Sequence, residues 1–141
     1  MEKFKFRLYA YVFMDNHAHM LMAADQAPLA KIMRGIQQSY TQYYNRKYGR
    51  VGHVFEQRYK AKLCKQDSYL VNLLRYIHKN PVRAGLTKSV DYRWSSHRAY
   101  HTGDGRLVDI DFLLAFFASD IQTAIKRYRL FMDEKDVADE C

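Results

Sequence analysis

Residues 4–23 read FKFRLYAYVFMDNHAHMLMA, and this stretch decides the fold. From residue 4 to residue 14, aromatic and β-branched side chains recur with the period of two that a half-buried strand requires. Asp15-Asn16 supplies turn chemistry, and a second apolar run follows from residue 17 to residue 23. The reading is an antiparallel hairpin. On its second strand, His17-Ala18-His19 sends two imidazoles to one face and Ala18 to the other. Two neutral imidazoles on one rigid face can share a divalent cation. Two solvated histidines at a strand start would give the same pattern.

Working outward, Pro28 opens a helical pattern in LAKIMRGIQQSYTQYYNRKYG, where Leu29, Ile32, Met33, Ile36, Tyr40, Tyr43 and Tyr44 form one stripe that ends near Gly49. After a loop at residues 49–52, VFEQRYKAKLC alternates again and predicts a third strand, basic on its open side through Arg58 and Lys60. Asp67 and Ser68 can cap the next helix, SYLVNLLRYIHKN, whose Leu70, Leu73, Leu74 and Ile77 keep helical spacing until Pro81 is expected to stop it. Gly85 leads into DYRWSSHRAY, where the Trp94 indole is expected to be buried and the serines to cap a helix. Helical patterns then occupy roughly residues 110–118 and 120–133.

The helix before Pro81 carries a second pair of chemical interest. Tyr76 and Asn80 are four residues apart and share a face, so a phenol and an amide oxygen project toward one region. An ordinary helical tyrosine and a terminating asparagine would look alike. Arg75 and Lys79 repeat that spacing one step back, either as a solvated basic edge or as a phosphate grip.

Composition narrows the class of partner. The chain has 141 residues, 48% hydrophobic and 27% charged, enough for one core. Its net charge of +8 is uneven: residues 1–101 hold 18 Lys/Arg against 6 Asp/Glu, and residues 102–141 hold 5 against 9. A basic body interleaved with tyrosines suits a polyanion whose bases stack. No apolar run approaches the ~20 residues of a membrane helix, so no membrane partner and a cytoplasmic location are expected. With only Cys64 and Cys141, any metal must use His, Asn or carboxylate ligands.

Four segments in order, AYVFMDNHAHMLM, GHVFEQRYKAKL, LLRYIHKNPVRAGL and DYRWSSHRAY, resemble the single-tyrosine HUH transposases, especially the branch associated with repetitive extragenic palindromes. The resemblance spans residues 4–100 and implies a ferredoxin-like α+β fold, an antiparallel sheet backed by helices. It implies a catalytic domain over residues 1–101, with a C-terminal helical appendage and acidic tail over residues 102–141. His17 and His19 stand at the positions of the metal ligands, Asn80 at that of a third ligand, and Tyr76 at that of the nucleophile. Tyr69, on the same helix, is the rival nucleophile. Arg58, Lys60, Arg75, Lys79 and Arg83 are the candidate DNA contacts. The implied activity is cutting of single-stranded DNA near a hairpin with Mg²⁺ or Mn²⁺, leaving a 5′-phosphotyrosine and a free 3′-hydroxyl. The alternative is a hairpin-binding protein derived from such an enzyme that no longer cuts. An RNA-binding sheet would want aromatics where the histidines stand. Family members usually place a strand and a helix before the segment matching Phe4. A homodimer, or an upstream region, is therefore expected to pair the exposed sheet edge.

Overall fold

The computed structural model describes residues 6–15, 17–24, 28–52, 60–64 and 67–134, the side chain of Ser68 excepted. Strand β1 (Phe6–Phe13) pairs with β2 (Ala18–Ala24) in a two-stranded antiparallel sheet. The Met14 amide donates to the His17 carbonyl at 2.7 Å, which closes the hairpin turn. Among the described residues five helices follow: α1 (Leu29–Tyr48), α2 (Asp67–Arg83), α3 (His97–Thr102), α4 (Asp111–Leu114) and α5 (Ile121–Asp133). The fold is thus α+β, as the alternating and helical patterns predict, with two strands of such a sheet among the described residues.

Contacts divide the chain into two units, one of residues 7–23 and 64–141 and the other of residues 1–6 and 24–63. In the larger unit, β1 is flanked on one side by β2. On the other side, the residue 94–96 segment bridges to it at Val12 and Ser95, with the Phe13 amide donating to the Trp94 carbonyl and the Ser96 amide to the Tyr11 carbonyl. Ala10 and Val12 are fully buried, and they meet Leu74 and Ile77 of α2 in one core. Most of that core comes from later in the chain: Tyr100, Val108, Ile110, Leu113, Leu114, Ala124, Ile125, Tyr128 and Met132. The helices after residue 101 are therefore part of the structure that supports the hairpin. Burying a Leu or Ile side chain contributes roughly 1.5–3 kcal/mol, so the sheet depends on them.

Three expectations are corrected. α2 does not stop at Pro81 but runs on to Arg83, with Pro81 buried inside it. The terminator is Gly85 at φ 77, where the Leu86 amide donates to the Pro81 carbonyl and the Gly85 amide to the Val82 carbonyl. That double closure is a Schellman motif, and it needs a residue tolerant of the left-handed region. Of the expected third strand, residues 60–64 form no strand and residues 53–59 lie outside the described residues. Trp94 is 52% exposed with the Arg93 guanidinium stacked on it, so its indole is not a buried corner.

In the smaller unit, α1 begins after Pro28 and ends at Gly49, φ 63, whose amide donates to the Asn45 carbonyl. Only Ile32 and Met33 of the expected stripe are buried; Tyr40 and Tyr43 face solvent.

Candidate active site

The two histidines and the helical tyrosine come together. The His17 and His19 rings lie with centroids 5.1 Å apart, and the Tyr76 ring sits edge-on to His19 at 5.8 Å. His17 immediately precedes β2 and His19 is within it, so the pleat aligns them; Tyr76 is on the face of α2 opposite His78. Burial, and the neighbouring His17 in second place, lower the His19 imidazole below its ordinary value, which favours its neutral form. Asn80 is half-buried on α2, one turn beyond Tyr76. Tyr69 is half-buried nearly two turns before Tyr76.

Among the cationic candidates, Arg83 is exposed and its guanidinium lies over the Tyr76 ring, 5.0 Å from the centroid. Arg75 is placed otherwise than expected. It is 4% exposed, stacked on the Phe131 ring and donating to the Glu134 carbonyl. The Lys79 ammonium donates to the same carbonyl at 2.9 Å. Their four-residue spacing does put them on one face, but that face holds the C-terminal end of α5, where cations meet the negative end of the helix dipole. Lys60 is exposed, and Arg58 lies outside the described residues, as does Tyr59.

The donor set is suited to a divalent cation. Among the described residues, no group of three or more His, Cys, Asp or Glu could hold one, and the two imidazoles of His17 and His19 are the nitrogen donors brought together there.

Sequence reasoning missed the polar network on the other face of α2. His78, fully buried, joins the Tyr128 hydroxyl through Nδ1 at 2.7 Å and the Ser96 hydroxyl through Nε2 at 2.6 Å. His97 Nδ1 meets the same Tyr128 hydroxyl at 2.6 Å, and the Tyr11 amide donates to Ser96 Oγ at 3.0 Å. Tyr128 has one proton for two imidazoles, so one Nδ1 accepts from it and the other carries a hydrogen and donates to it. Ser96 does stand at the N-cap position of α3, but its hydroxyl caps nothing and serves this network.

The network makes stability depend on acid. Burial lowers His78 well below its ordinary value. Burial, then His101, lowers His97 to about 4 against the opposing pull of Asp91 and Asp133. Both histidines protonate more easily in the unfolded chain, so stability is full above the ordinary value of 6.5 and falls as the pH drops toward 4. For His97 alone the loss is about 3 kcal/mol at 1.36 kcal/mol per unit. Urea midpoints measured from pH 7.5 to 4.5 should fall continuously below about pH 6.5, and His97→Gln should flatten the curve.

A basic α+β fold that sets a two-histidine strand face against a helical tyrosine has the groups for phosphoryl chemistry. Residues 1–80 match the family model for IS200-like transposases, more than half of the chain, and the chain belongs to that family. Its class is therefore that of transposases, proteins that process DNA. No curated relative and no solved structure matches it. Among the described residues, no helix is long and apolar enough to cross a membrane.

Proposed function

We propose that this transposase is a metal-dependent, single-tyrosine endonuclease and strand transferase that cuts single-stranded DNA beside a hairpin. The observation that carries the reading is the convergence of His17, His19 and Tyr76, with ring centroids 5.1 and 5.8 Å apart, from two elements distant in sequence. The Tyr76 oxygen attacks phosphorus and the phosphorus–O3′ bond breaks; the upstream fragment leaves with a free 3′-hydroxyl, and the downstream fragment stays joined to the tyrosine through its 5′-phosphate. The phenol proton passes to water and the departing oxygen takes one from water. Because the phosphate remains in an ester bond, the reverse attack by another 3′-hydroxyl rejoins DNA without ATP.

His17, His19 and Asn80 would hold Mg²⁺ or Mn²⁺. When bound, the cation supplies charge neutralisation at a non-bridging phosphate oxygen. Arg83 stacks on the attacking ring and carries its charge at the rim of the same face, where a second phosphate oxygen can be gripped. All these residues fall within residues 1–101, and the helices beyond that point act as their support. A homodimer remains the proposed partner for the sheet edge.

The test is incubation with single-stranded hairpin libraries and Mn²⁺, followed by a denaturing gel. A covalent protein–DNA band that disappears with chelator and in His17→Ala is expected. Hairpin binding without any such band would replace this account with the binding-only one.

A further inference from the structure

The second half of α1 presents a surface that burial does not explain. Its buried anchors, Ile32 and Met33, lie in the first turns, whereas Tyr40, Tyr43 and Tyr48 are 47%, 56% and 57% exposed. The rings form a ladder: Tyr40 to Tyr44 at 6.1 Å between centroids and Tyr44 to Tyr48 at 4.7 Å. Cations sit among them. The Lys47 ammonium is 5.7 Å from the Tyr43 centroid and 5.4 Å from that of Tyr48, and the Arg50 guanidinium is 5.4 Å from that of Tyr44. Between Asp25 and Glu56 the chain has no acidic residue, while Lys31, Arg34, Arg46, Lys47 and Arg50 all carry positive charge.

Four-residue pairs of this kind steady a helix, but that role does not require phenol rings in water or the absence of carboxylates. A second copy of the chain would bring the same cations against themselves, which disfavours self-association through this face. A duplex hides the faces of its bases. An unpaired strand offers both phosphates for the cations and open base faces for the rings.

We infer that the C-terminal half of α1 is a docking face for unpaired DNA, with bases stacked on Tyr43 and Tyr48 and phosphates on Lys47 and Arg50. From Tyr40 to Tyr48 the helix rises about 12 Å, room for roughly three nucleotides at about 3.4 Å each. The inference rests on the proposed single-strand activity and assigns a surface to it. Recognition here is by stacking and charge, so it tolerates any base and weakens with salt.

The test measures anisotropy of a labelled 12-nucleotide oligodeoxythymidine with the full chain in chelator, so that nothing is cut. The double variant Tyr43→Leu, Tyr48→Leu keeps apolar bulk and helix propensity but removes the π faces. It should bind ~20-fold or more weakly, given the usual worth of a stacked base, with unchanged circular dichroism. An oligomer lacking bases should bind wild type and variant alike. Affinity within two-fold of wild type overturns the inference, as does a variant that alters only the oligomeric state in light scattering. If wild type binds and cuts DNA while the variant is unaffected, this docking face alone is refuted. If wild type binds no single strand, the proposed activity fails as well.

Discussion

Tyr76→Phe is expected to remove the covalent protein–DNA adduct altogether while leaving the fold and the affinity for DNA unchanged. The substitution deletes one oxygen and keeps the ring, and the ring makes the contacts seen here: edge-on to His19 at 5.8 Å and under Arg83 at 5.0 Å. Loss of activity therefore reports the nucleophile and not the packing. An enzyme stripped of its nucleophile loses on the order of 10⁶-fold in rate in well-measured cases, which places the residual below detection on a gel. Tyr69→Phe is the matched control, because Tyr69 is also half-buried on α2 but lies nearly two turns away. An adduct that survives in Tyr76→Phe and vanishes in Tyr69→Phe would reverse the assignment.

Tyr128→Phe should cost about 3 kcal/mol of stability, the joint penalty of leaving buried hydrogen-bonding groups without a partner at roughly 1–3 kcal/mol each. The phenylalanine fits the same space, so there is no cavity to add. What is lost is the hydroxyl shared by His78 and His97, both buried, at 2.7 and 2.6 Å. His78 is two residues from Tyr76 on the opposite face of α2, and Ser96 ties that histidine to the Tyr11 amide of β1. The network therefore pins the helix carrying the tyrosine to the strand next to the one carrying the histidines. Urea unfolding checks the cost; a midpoint within the error of wild type would show that the hydroxyl contributes nothing net.

Local periodicity was enough for some of this architecture. Alternation over residues 6–13 gives β1, His17 and His19 follow from the pleat, and the spacing of Leu70, Leu74 and Ile77 gives the buried face of α2. These readings depend on neighbours in the chain. The misread residues depend on partners far along it. The four-residue step from Arg75 to Lys79 correctly predicts a shared face, yet only the arrival of Phe131 and Glu134 decides that Arg75 is covered and that Lys79 reaches the same carbonyl.

His78, His97 and Tyr128 are separated by up to 50 residues, and no short pattern joins them. One signal was present: His78 lies next to Ile77 and four residues after Leu74, on the apolar side of α2, where a histidine needs a polar partner. Pro81 misleads for a different reason. A proline removes one amide and disfavours helix in the residue before it, but here its ring is buried and the Gly85 turn closes the helix after it. Trp94 stays 52% exposed with the Arg93 guanidinium over its face, a placement that hydrophobicity alone does not foresee.

The most direct test of the central claim is to trap the adduct on hairpin DNA, digest it with nuclease and trypsin, and locate the residual nucleotide by mass spectrometry. Trypsin cuts after Arg75 and Lys79, so Tyr76 leaves in the short peptide YIHK, apart from Tyr69 in QDSYLVNLLR. The account predicts the nucleotide phosphate on YIHK. A nucleotide on QDSYLVNLLR, or on any peptide without Tyr76, would contradict it.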